Sequence, residues 1–557
     1  MTSTVPRAAL AAVTLLFLVP AFASAASFAG VYEIRSGGKV IGAEKFEIDM
    51  DEDGAYVVKS SGTVKDESVD QSAVNDYTEL AVKAGGVFRD YQREVYVDRL
   101  PRKLAMVYDG FRFLVKLNTG EASLERKIEG PASAAVVDAG VFSHFGALVH
   151  RAVMQKILGK SIPVVVPSEM VETTAYVDDR GDDTAALAGG NFAARRYFID
   201  LDTYGVSAWA DGSGRLIRIE IPATGAVAEL QGYKGTTREA PAPRRVPSTV
   251  ETGEASFQGG EGIAGTPRPM LKALVRRPRG DHPDLPAVLF LSDTGGQDAR
   301  GVDFVTGLDT LTGALCDKIA ESGFVVMSYA DRGVGGSQGD LAQSALSVLE
   351  ADASRALDNL LAQPGVDAAR VALVGHGEGG NVALRLAAKR PEIAAVIVLA
   401  PSPVSLTELA LEQARRRLAA MGQRDDPDAM TDHPVAIAIR RAREGDEEFT
   451  VIGGRPVYLD LYRQWDKLNP AADLAAAKAP VLHVTMEKDQ QIFDGMAAPL
   501  VKAGEKKGGY AHKRFDGLDH FLVRGRGRIA GYSDPDRALD DDAVGFLVRW
   551  LRENAGA

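Results

Sequence analysis

The sequence predicts two domains, an antiparallel β-rich domain followed by an α/β domain with a mostly parallel sheet and helices on both faces. The chain has 557 residues, more than one ordinary domain holds. Its first half alternates polar and apolar residues, as half-buried strands do, whereas its second half contains continuous apolar runs separated by helical stretches. The pattern changes at a proline-rich segment, residues 239–253, which we predict to be a linker.

Residues 1–25 have the features of a secretory signal peptide. Arg7 supplies a positive charge, residues 8–19 form an apolar core, and the small residues at 23–25 offer a cleavage site before Ala26. The apolar core is shorter than the ~20 residues of a membrane span, and no later stretch approaches that length. We therefore expect a secreted or periplasmic protein with no transmembrane span after signal removal; an uncleaved amino-terminal anchor is the alternative.

Residues 26–238 are predicted to form the β-rich domain. The clearest hairpin has residues 211–214, Asp-Gly-Ser-Gly, between two alternating runs, and these residues tolerate a positive φ. One helix is predicted over residues 142–158, stopped by Gly159. Through the segment YGVSAWADGSGRLIRIEIP, this half resembles the β-rich domains of uncharacterised bacterial envelope proteins. We expect a packing or substrate-positioning domain, with a sheet that binds a lipid or polymer as the alternative.

The second half, residues 254–557, is predicted to be the α/β domain. Buried parallel strands are typically continuous apolar runs, and this half contains several of them, PAVLFLSD, GFVVMSYA, VALVG, AAVIVLA and APVLHVT. Residues from about 404 to 470 interrupt the alternation with charged, helix-prone segments. We predict that this insertion forms a helical cap over a pocket.

Four motifs in this half suggest chemistry. VALVGHGEGGNVAL forms a strand, a glycine turn with Gly377 at its tip, and a helix; DRGVGGSQGD lies at 331–340; APVLHVTMEKDQQI contains Asp489; and FDGLDHFL contains His520. With these motifs, residues 254–553 resemble an α/β-hydrolase domain of the secreted carboxylesterase and serine-aminopeptidase-like kind. The chain order of elbow, acid and histidine is the one that this fold requires.

The resemblance assigns a role to each motif residue. Gly377 stands at the nucleophile position of the elbow, His520 is the base, and Asp489 orients the imidazole ring and stabilises the imidazolium. The backbone N–H of Glu378, at the start of a helix, and an N–H near Thr294 would bind the developing oxyanion. These residues are the expected site.

Two departures from the family pattern affect the chemistry. Gly377 has no side chain, so the nucleophile position is expected to be vacant, and Ser292-Asp293 stands where the family usually has His-Gly. Losing the serine of such a triad lowers turnover on the order of a millionfold. The bulky carboxyl side chain of Asp293 is expected to change or repel the oxyanion. Neither Ser292 nor Ser337 lies on the strained turn that presents an oxygen to the histidine.

Three functional hypotheses remain open. The first is a degenerate hydrolase that binds an ester- or carboxylate-bearing small molecule, with impaired or lost acyl-enzyme chemistry. The second is an active but unconventional carboxylesterase or peptidase-like hydrolase, in which His520 activates a water for direct attack. The third is a structural envelope protein that uses both domains as interaction surfaces.

Composition argues against other classes of function. The net charge of −12 disfavours nucleic acid, which needs a concentrated basic patch. His144 and His150 are six residues apart and do not share a helix face as a metal-binding pair would. Cys316 is the single cysteine, so no intramolecular disulfide forms, and we expect a buried structural thiol. The histidine spacing gives no support for a metal, so we expect none. No nucleotide-binding fingerprint is present either, and we expect no cofactor.

Overall fold

The computed structural model of the protein describes residues 26–556 apart from 66–72, 98–99, 121, 240–248, 262–266, 281, 305 and 421–426. The predicted signal peptide, most of the predicted linker and part of the predicted cap therefore lie outside the described residues. None of the helices in the described ranges is long and apolar enough to cross a membrane.

The first domain is built on one large, mainly antiparallel sheet. Its described strands are β1 (Ala26–Ser36), β2 (Lys39–Met50), β3 (Tyr56–Lys65), β4 (Ala73–Lys83), β5 (Val87–Val97), β6 (Leu100–Tyr108), β7 (Arg112–Asn118), β8 (Ser123–Glu129), β9 (Ala135–Val136), β10 (Ile162–Val166), β11 (Val171–Leu187), β12 (Gly190–Asp200), β13 (Gly205–Ala210), β14 (Leu216–Ile221) and β15 (Ala226–Leu230). Each strand up to β8 pairs with the next, and β1 also pairs with β15, which joins the two halves of the sheet.

Alternation of polar and apolar residues determines which face of this sheet is buried. In β2 the side chains of Phe46, Ile48 and Met50 are buried, whereas those of residues 45, 47 and 49 are exposed. This is the period of two that strand geometry imposes. The predicted hairpin is present between β13 and β14, with Asp211 Oδ1 accepting a hydrogen bond from the Ser213 N–H at 2.9 Å.

One helix, α1 (Ser143–Met154), packs on the buried face of this sheet. Its first turn is held by Glu44, whose carboxylate accepts hydrogen bonds from the N–H groups of Phe142 (2.8 Å) and Ser143 (3.1 Å). The helix is shorter than the predicted 142–158, because Lys156 adopts a positive φ of 53° that a helix does not accommodate. The predicted stop at Gly159 is therefore wrong.

The second domain contains an eight-stranded sheet in the order β16-β17-β19-β18-β20-β21-β24-β25. The strands of the domain are β16 (Val250–Gln258), β17 (Met270–Pro278), β18 (Leu285–Leu291), β19 (Val325–Tyr329), β20 (Val366–His376), β21 (Ile393–Leu399), β22 (Phe449–Ile452), β23 (Arg455–Tyr458), β24 (Val481–Met486) and β25 (Tyr510–Phe515). Pairing is antiparallel as far as β17–β19 and parallel from there on. The strand β16 begins at Val250, earlier than the predicted domain start at residue 254.

Helices pack against the strands of this sheet. They are α2 (Thr312–Glu321), α3 (Leu346–Leu361), α4 (Glu378–Lys389), α5 (Leu406–Ala420), α6 (Pro427–Thr431), α7 (Pro434–Glu444), α8 (Leu459–Lys467), α9 (Pro470–Ala476), α10 (Ala498–Gly504) and α11 (Asp541–Leu551). The insertion predicted at about 404–470 holds α5 to α8 and the hairpin β22–β23. Cys316, on α2, is buried, and burial raises the pKa of its thiol to about 11.

The two domains meet at the loop 524–540, which precedes α11. Arg526 Nη1 donates to Asp178 Oδ2 at 2.7 Å, and Arg528 Nε lies 2.7 Å from Asp200 Oδ1. The acceptors lie on β11 and β12, so the first domain holds a loop of the second through charged contacts.

Candidate active site

The predicted nucleophile elbow is present at the centre of the parallel sheet. β20 ends at His376, α4 begins at Glu378, and Gly377 between them has φ 51° and ψ −121°. Residues other than glycine adopt a positive φ only at a cost of about 1–3 kcal/mol. A Cβ added at Gly379 would lie 2.2 Å from the Ser292 carbonyl oxygen, so glycine is also required for the close approach of α4 to the end of β18.

The acid and the histidine of the predicted site are in contact. Nδ1 of His520 lies 2.8 Å from Oδ2 of Asp489, and each side chain is only 1% exposed. Oδ1 of Asp489 accepts hydrogen bonds from the N–H groups of Gln491 (2.7 Å) and Ile492 (2.8 Å). The carboxylate is therefore fixed on both sides and can orient the imidazole ring.

The nucleophile position, predicted to be vacant, is filled by the carboxylate of Asp293. A Cβ built on Gly377 would lie 1.6 Å from Asp293 Oδ1, so this carboxylate occupies the space of a side chain at the elbow. Oδ1 accepts hydrogen bonds from the N–H groups of Thr294 (2.7 Å) and Glu378 (3.1 Å). These are the two donors expected for an oxyanion, and they are engaged by a carboxylate of the same chain.

Asp293 and Asp489 hold His520 between them. Nε2 of His520 lies 2.9 Å from Asp293 Oδ2, on the side of the ring opposite to Asp489. Burial alone would lower the pKa of His520, but the two carboxylates outweigh it and raise the pKa to about 10. Burial acts in the opposite direction on Asp293 and alone would raise its pKa. The hydrogen bond and charge of His520 outweigh burial and lower the pKa of Asp293 well below the usual range. At neutral pH the site holds an imidazolium between two carboxylates, which has no free lone pair to act as a base.

Another histidine packs against this arrangement. The ring of His376 lies 4.4 Å from that of His520, and its Nε2 is 2.8 Å from the His520 carbonyl oxygen. Burial first, and then the charge of His520, lower the pKa of His376 to about 4. Ligand atoms of Asp293, His376 and His520 lie within 4.8 Å of one another. Both nitrogens of His520 and Nε2 of His376 have protein partners, so we assign an ion pair rather than a metal site.

A cavity of about 230 Å³ opens above Asp293 and His520, beneath the cap. Glu378 and Trp465 line it, and Oε1 of Glu378 accepts a hydrogen bond from Trp465 Nε1 at 2.9 Å. Burial raises the pKa of Glu378 to about 7. Exposed Arg417, on α5, lines the same cavity. The cavity therefore has carboxyl groups at its base and a cation on the cap, between walls of mixed polar and apolar residues.

The structure brings together every residue of the expected site. Gly377, Glu378, Thr294, Asp489 and His520 all lie within it. Ser337 lies elsewhere: its hydroxyl donates to the Ala330 carbonyl and accepts from the Lys272 N–H.

The sequence interpretation missed three contributors, Asp293 as the occupant of the nucleophile position and Trp465 and Arg417 of the cap. Two features of the sequence could have indicated this role of Asp293. Serine is absent at position 377, and an acid is present at position 293, which faces position 377 in this fold.

Comparison with known proteins gives local matches to hydrolases. Residues 310–434 match the model of the family described as serine aminopeptidase, S33. A stretch of 100 residues, 17% of this chain, is 37% identical to cutinase est2 of Thermobifida alba and covers 31% of it. Cutinase est1 of the same organism is 36% identical over 100 residues, 17% of this chain, with 32% of its length covered. The matches thus span less than a third of each cutinase.

Solved structures with a similar arrangement include α/β-hydrolases. The α/β-hydrolase GrgF from Penicillium sp. sh18 is 17% identical with a TM-score of 0.37, and the alignment covers 55% of this chain and 99% of that one. The Pyrococcus furiosus esterase PF2001 is 12% identical with a TM-score of 0.37, covering 58% and 100%. Together with the elbow at Gly377 and the contact of Asp489 with His520, the local family match shows that the carboxy-terminal domain is similar to α/β-hydrolases.

Proposed function

We propose that this domain binds a small ester- or carboxylate-bearing molecule and has lost the acyl-enzyme chemistry of serine esterases. One observation carries the proposal: the Asp293 carboxylate occupies the space above Gly377 and both N–H groups of the oxyanion site. An ester carbonyl has no nucleophile to meet there, and its oxygen has no free donor. The cavity under the cap persists beside the blocked position.

The charges of the cavity favour one orientation of the ligand. Asp293 is a carboxylate at its base, which repels a second anion, whereas Arg417 places a guanidinium on the cap side. A ligand carboxylate is therefore expected beside Arg417, with the uncharged part of the ligand directed towards Asp293. This orientation differs from binding of the carboxylate at the oxyanion donors.

The hypothesis of a water activated by His520 receives less support. Such a water would have to lie beside Nε2 of His520, where Oδ2 of Asp293 accepts at 2.9 Å. The high pKa of His520 also keeps its proton in place at neutral pH. Location in the periplasm or outside the cell, and the positioning role of the β-rich domain, belong to the proposal as well.

Hydrolysis of a para-nitrophenyl butyrate ester tests the loss of chemistry. We expect background rates from the wild-type protein and from Gly377→Ser alone, because the new Cβ would lie 1.6 Å from Asp293 Oδ1. The double variant Gly377→Ser, Asp293→Gly removes that obstacle, frees both N–H donors and is expected to gain turnover. Clear wild-type turnover that His520→Gln abolishes would overturn the proposal in favour of an active hydrolase.

Binding of butyrate tests the ligand class. We expect butyrate to raise the melting temperature of the wild-type protein. Arg417→Gln should weaken binding about tenfold or more, the effect of losing one charge-assisted hydrogen bond. Arg415→Gln is the matched control, since Arg415 lies on the same helix beside Glu412 but is not among the residues that line the cavity. No shift with butyrate, together with recovery of a protein partner in a pull-down, would favour the structural hypothesis.

A further inference from the structure

The contacts of Asp293 are those of a covalent nucleophile, and not only those of a side chain that fills the nucleophile position. Its Oδ1 is held by two backbone N–H groups, and its Oδ2 lies beside His520 Nε2. The side chain is 8% exposed, and it lines the cavity, so a small molecule can reach it. A carboxylate that is fixed, reachable and adjacent to a histidine is one of the arrangements by which proteins form covalent intermediates.

We propose that Asp293 is a relocated nucleophile that opens a small epoxide, forming an ester that a water activated by His520 then hydrolyses. The inference rests on two parts of the proposed function, the loss of the serine mechanism and the cavity under the cap. It names a reaction for the same site.

An epoxide suits this site better than a carboxylic ester does. Attack of a carboxylate on an acyl carbon gives a reactive anhydride, whereas attack on a saturated carbon gives an ordinary ester. An epoxide also needs a proton on its oxygen as the ring opens. Glu378 lines the same cavity as Asp293, and burial raises its pKa to about 7, so the protonated acid is well populated at neutral pH.

In the first step, Oδ2 of Asp293 attacks one epoxide carbon, and a carbon–oxygen bond forms while the ring carbon–oxygen bond breaks. The freed oxygen takes the proton of Glu378, which leaves a carboxylate there and a hydroxyl on the substrate. Esterification removes the negative charge of Asp293, one of the two carboxylates that keep His520 protonated. The proton of His520 then passes through solvent to Glu378, and His520 becomes a base.

In the second step, water attacks Cγ of Asp293 and gives a proton to His520. The carbonyl oxygen of the ester is Oδ1, which the N–H groups of Thr294 and Glu378 already hold, so they stabilise the negative charge of the tetrahedral intermediate. The intermediate collapses, the alkoxide leaves with the proton from His520, and the new carboxylic acid of Asp293 returns its proton to His520. One epoxide and one water give one diol, and every group regains its starting state.

A single turnover in heavy-oxygen water, with the protein in excess over butylene oxide, tests this route. We expect the first diol to carry only ordinary oxygen, because its new hydroxyl comes from Oδ2 of Asp293. The heavy oxygen should appear in the peptide that contains Asp293. Heavy oxygen in the first diol, with none in that peptide, would overturn the proposal, and so would the absence of any diol.

Variants test the roles separately by intact-mass spectrometry. His520→Gln should accumulate a covalent adduct of one epoxide mass on Asp293, since the second step is blocked. Asp293→Asn should form no adduct, whereas the control Asp182→Asn, at an 80% exposed side chain, should behave as the wild type. Glu378→Gln should slow adduct formation from butylene oxide at least tenfold more than it slows adduct formation from butyl bromide, because bromide needs no proton. An adduct on another residue would contradict the proposal.

Binding of butyrate separates this inference from the proposed function. If butyrate binds and Arg417→Gln weakens it, but butylene oxide gives neither diol nor adduct, the nucleophile assignment fails and the binding domain stands. If butyrate does not bind and butylene oxide is converted, the ligand class of the proposed function is wrong and the nucleophile assignment stands.

Discussion

Two buried aspartates, one in each domain, show how the partner of a carboxylate determines what it can do. In the β-rich domain, Asp138 Oδ2 accepts hydrogen bonds from the Tyr91 hydroxyl at 2.7 Å and from Arg93 Nη1 at 2.9 Å. Its Oδ1 accepts from the Ser168 N–H at 2.8 Å. In the α/β domain, Asp293 likewise accepts from backbone N–H groups on one oxygen and faces a cation on the other.

The difference lies in the cation and in access. Arg93 stays charged at any pH of interest, and the Asp138 side chain is 0% exposed, so that pair has one state. His520 can lose its proton, and Asp293 lines a cavity. The arginine-paired aspartate therefore holds the fold, whereas the histidine-paired aspartate belongs to a site whose charge can change during a reaction.

The largest expected effect is on stability at Asp138. Replacing it with alanine leaves Arg93 buried with one carboxylate fewer, and removing one partner of a buried pair typically costs about 3–5 kcal/mol of unfolding free energy. Urea denaturation measures this loss. Asp182→Ala, which removes an exposed partner of Arg195, should change stability by less than about 1 kcal/mol. Equal losses in the two variants would contradict a structural role for Asp138.

The next effect is the pH dependence of stability. The pKa of His520 is raised from 6.5 to about 10 in the folded state, so its stabilising contribution is complete below pH 6.5 and is lost as pH rises towards 10. Across that window this histidine should lower the unfolding free energy by about 1.4 kcal/mol per pH unit. Asp293→Asn removes one of the two carboxylates, so the decline should end at a lower pH. Parallel curves for the two proteins would contradict the ion pair.

The smallest effect concerns the hydrogen bond to Glu378. Trp465 donates to Glu378 much as Tyr91 donates to Asp138, and this bond lowers the pKa of Glu378 against the effect of burial. Trp465→Phe should therefore raise the pKa of Glu378 further, which carbon NMR of the carboxyl group measures. Trp550→Phe is the control, since Trp550 lies on α11. A fall in the pKa of Glu378 would contradict this assignment.

Local patterns in the sequence predicted most of the fold. The elbow follows from a strand, a glycine turn and a helix that are contiguous in GHGEGG, and the structure has Gly377 at φ 51°. Asp489 and His520 were found through motifs in the right chain order, and they lie 2.8 Å apart. The domain boundary was less accurate, because β16 begins inside a segment whose composition resembles a linker.

The occupant of the elbow could not be predicted from local patterns. Asp293 follows β18, whereas Gly377 follows β20, and only the parallel pairing of these strands brings the two loops together. Whether the Asp293 side chain turns towards the elbow depends on atoms from both loops. In the sequence, Gly377 and Asp293 are two separate departures from the family pattern. In the structure they are one change, because the Asp293 side chain, from the loop after β18, occupies the space of a side chain at Gly377.

The protonation state of His520 tests the central claim most directly. Nitrogen NMR of the wild-type protein, with the signal of His520 assigned by its loss in His520→Gln, should show a protonated ring through neutral pH and a pKa near 10. In Asp293→Asn the pKa should fall. A wild-type His520 that titrates near 6.5, unchanged by Asp293→Asn, would show that the Asp293 carboxylate does not occupy the nucleophile position.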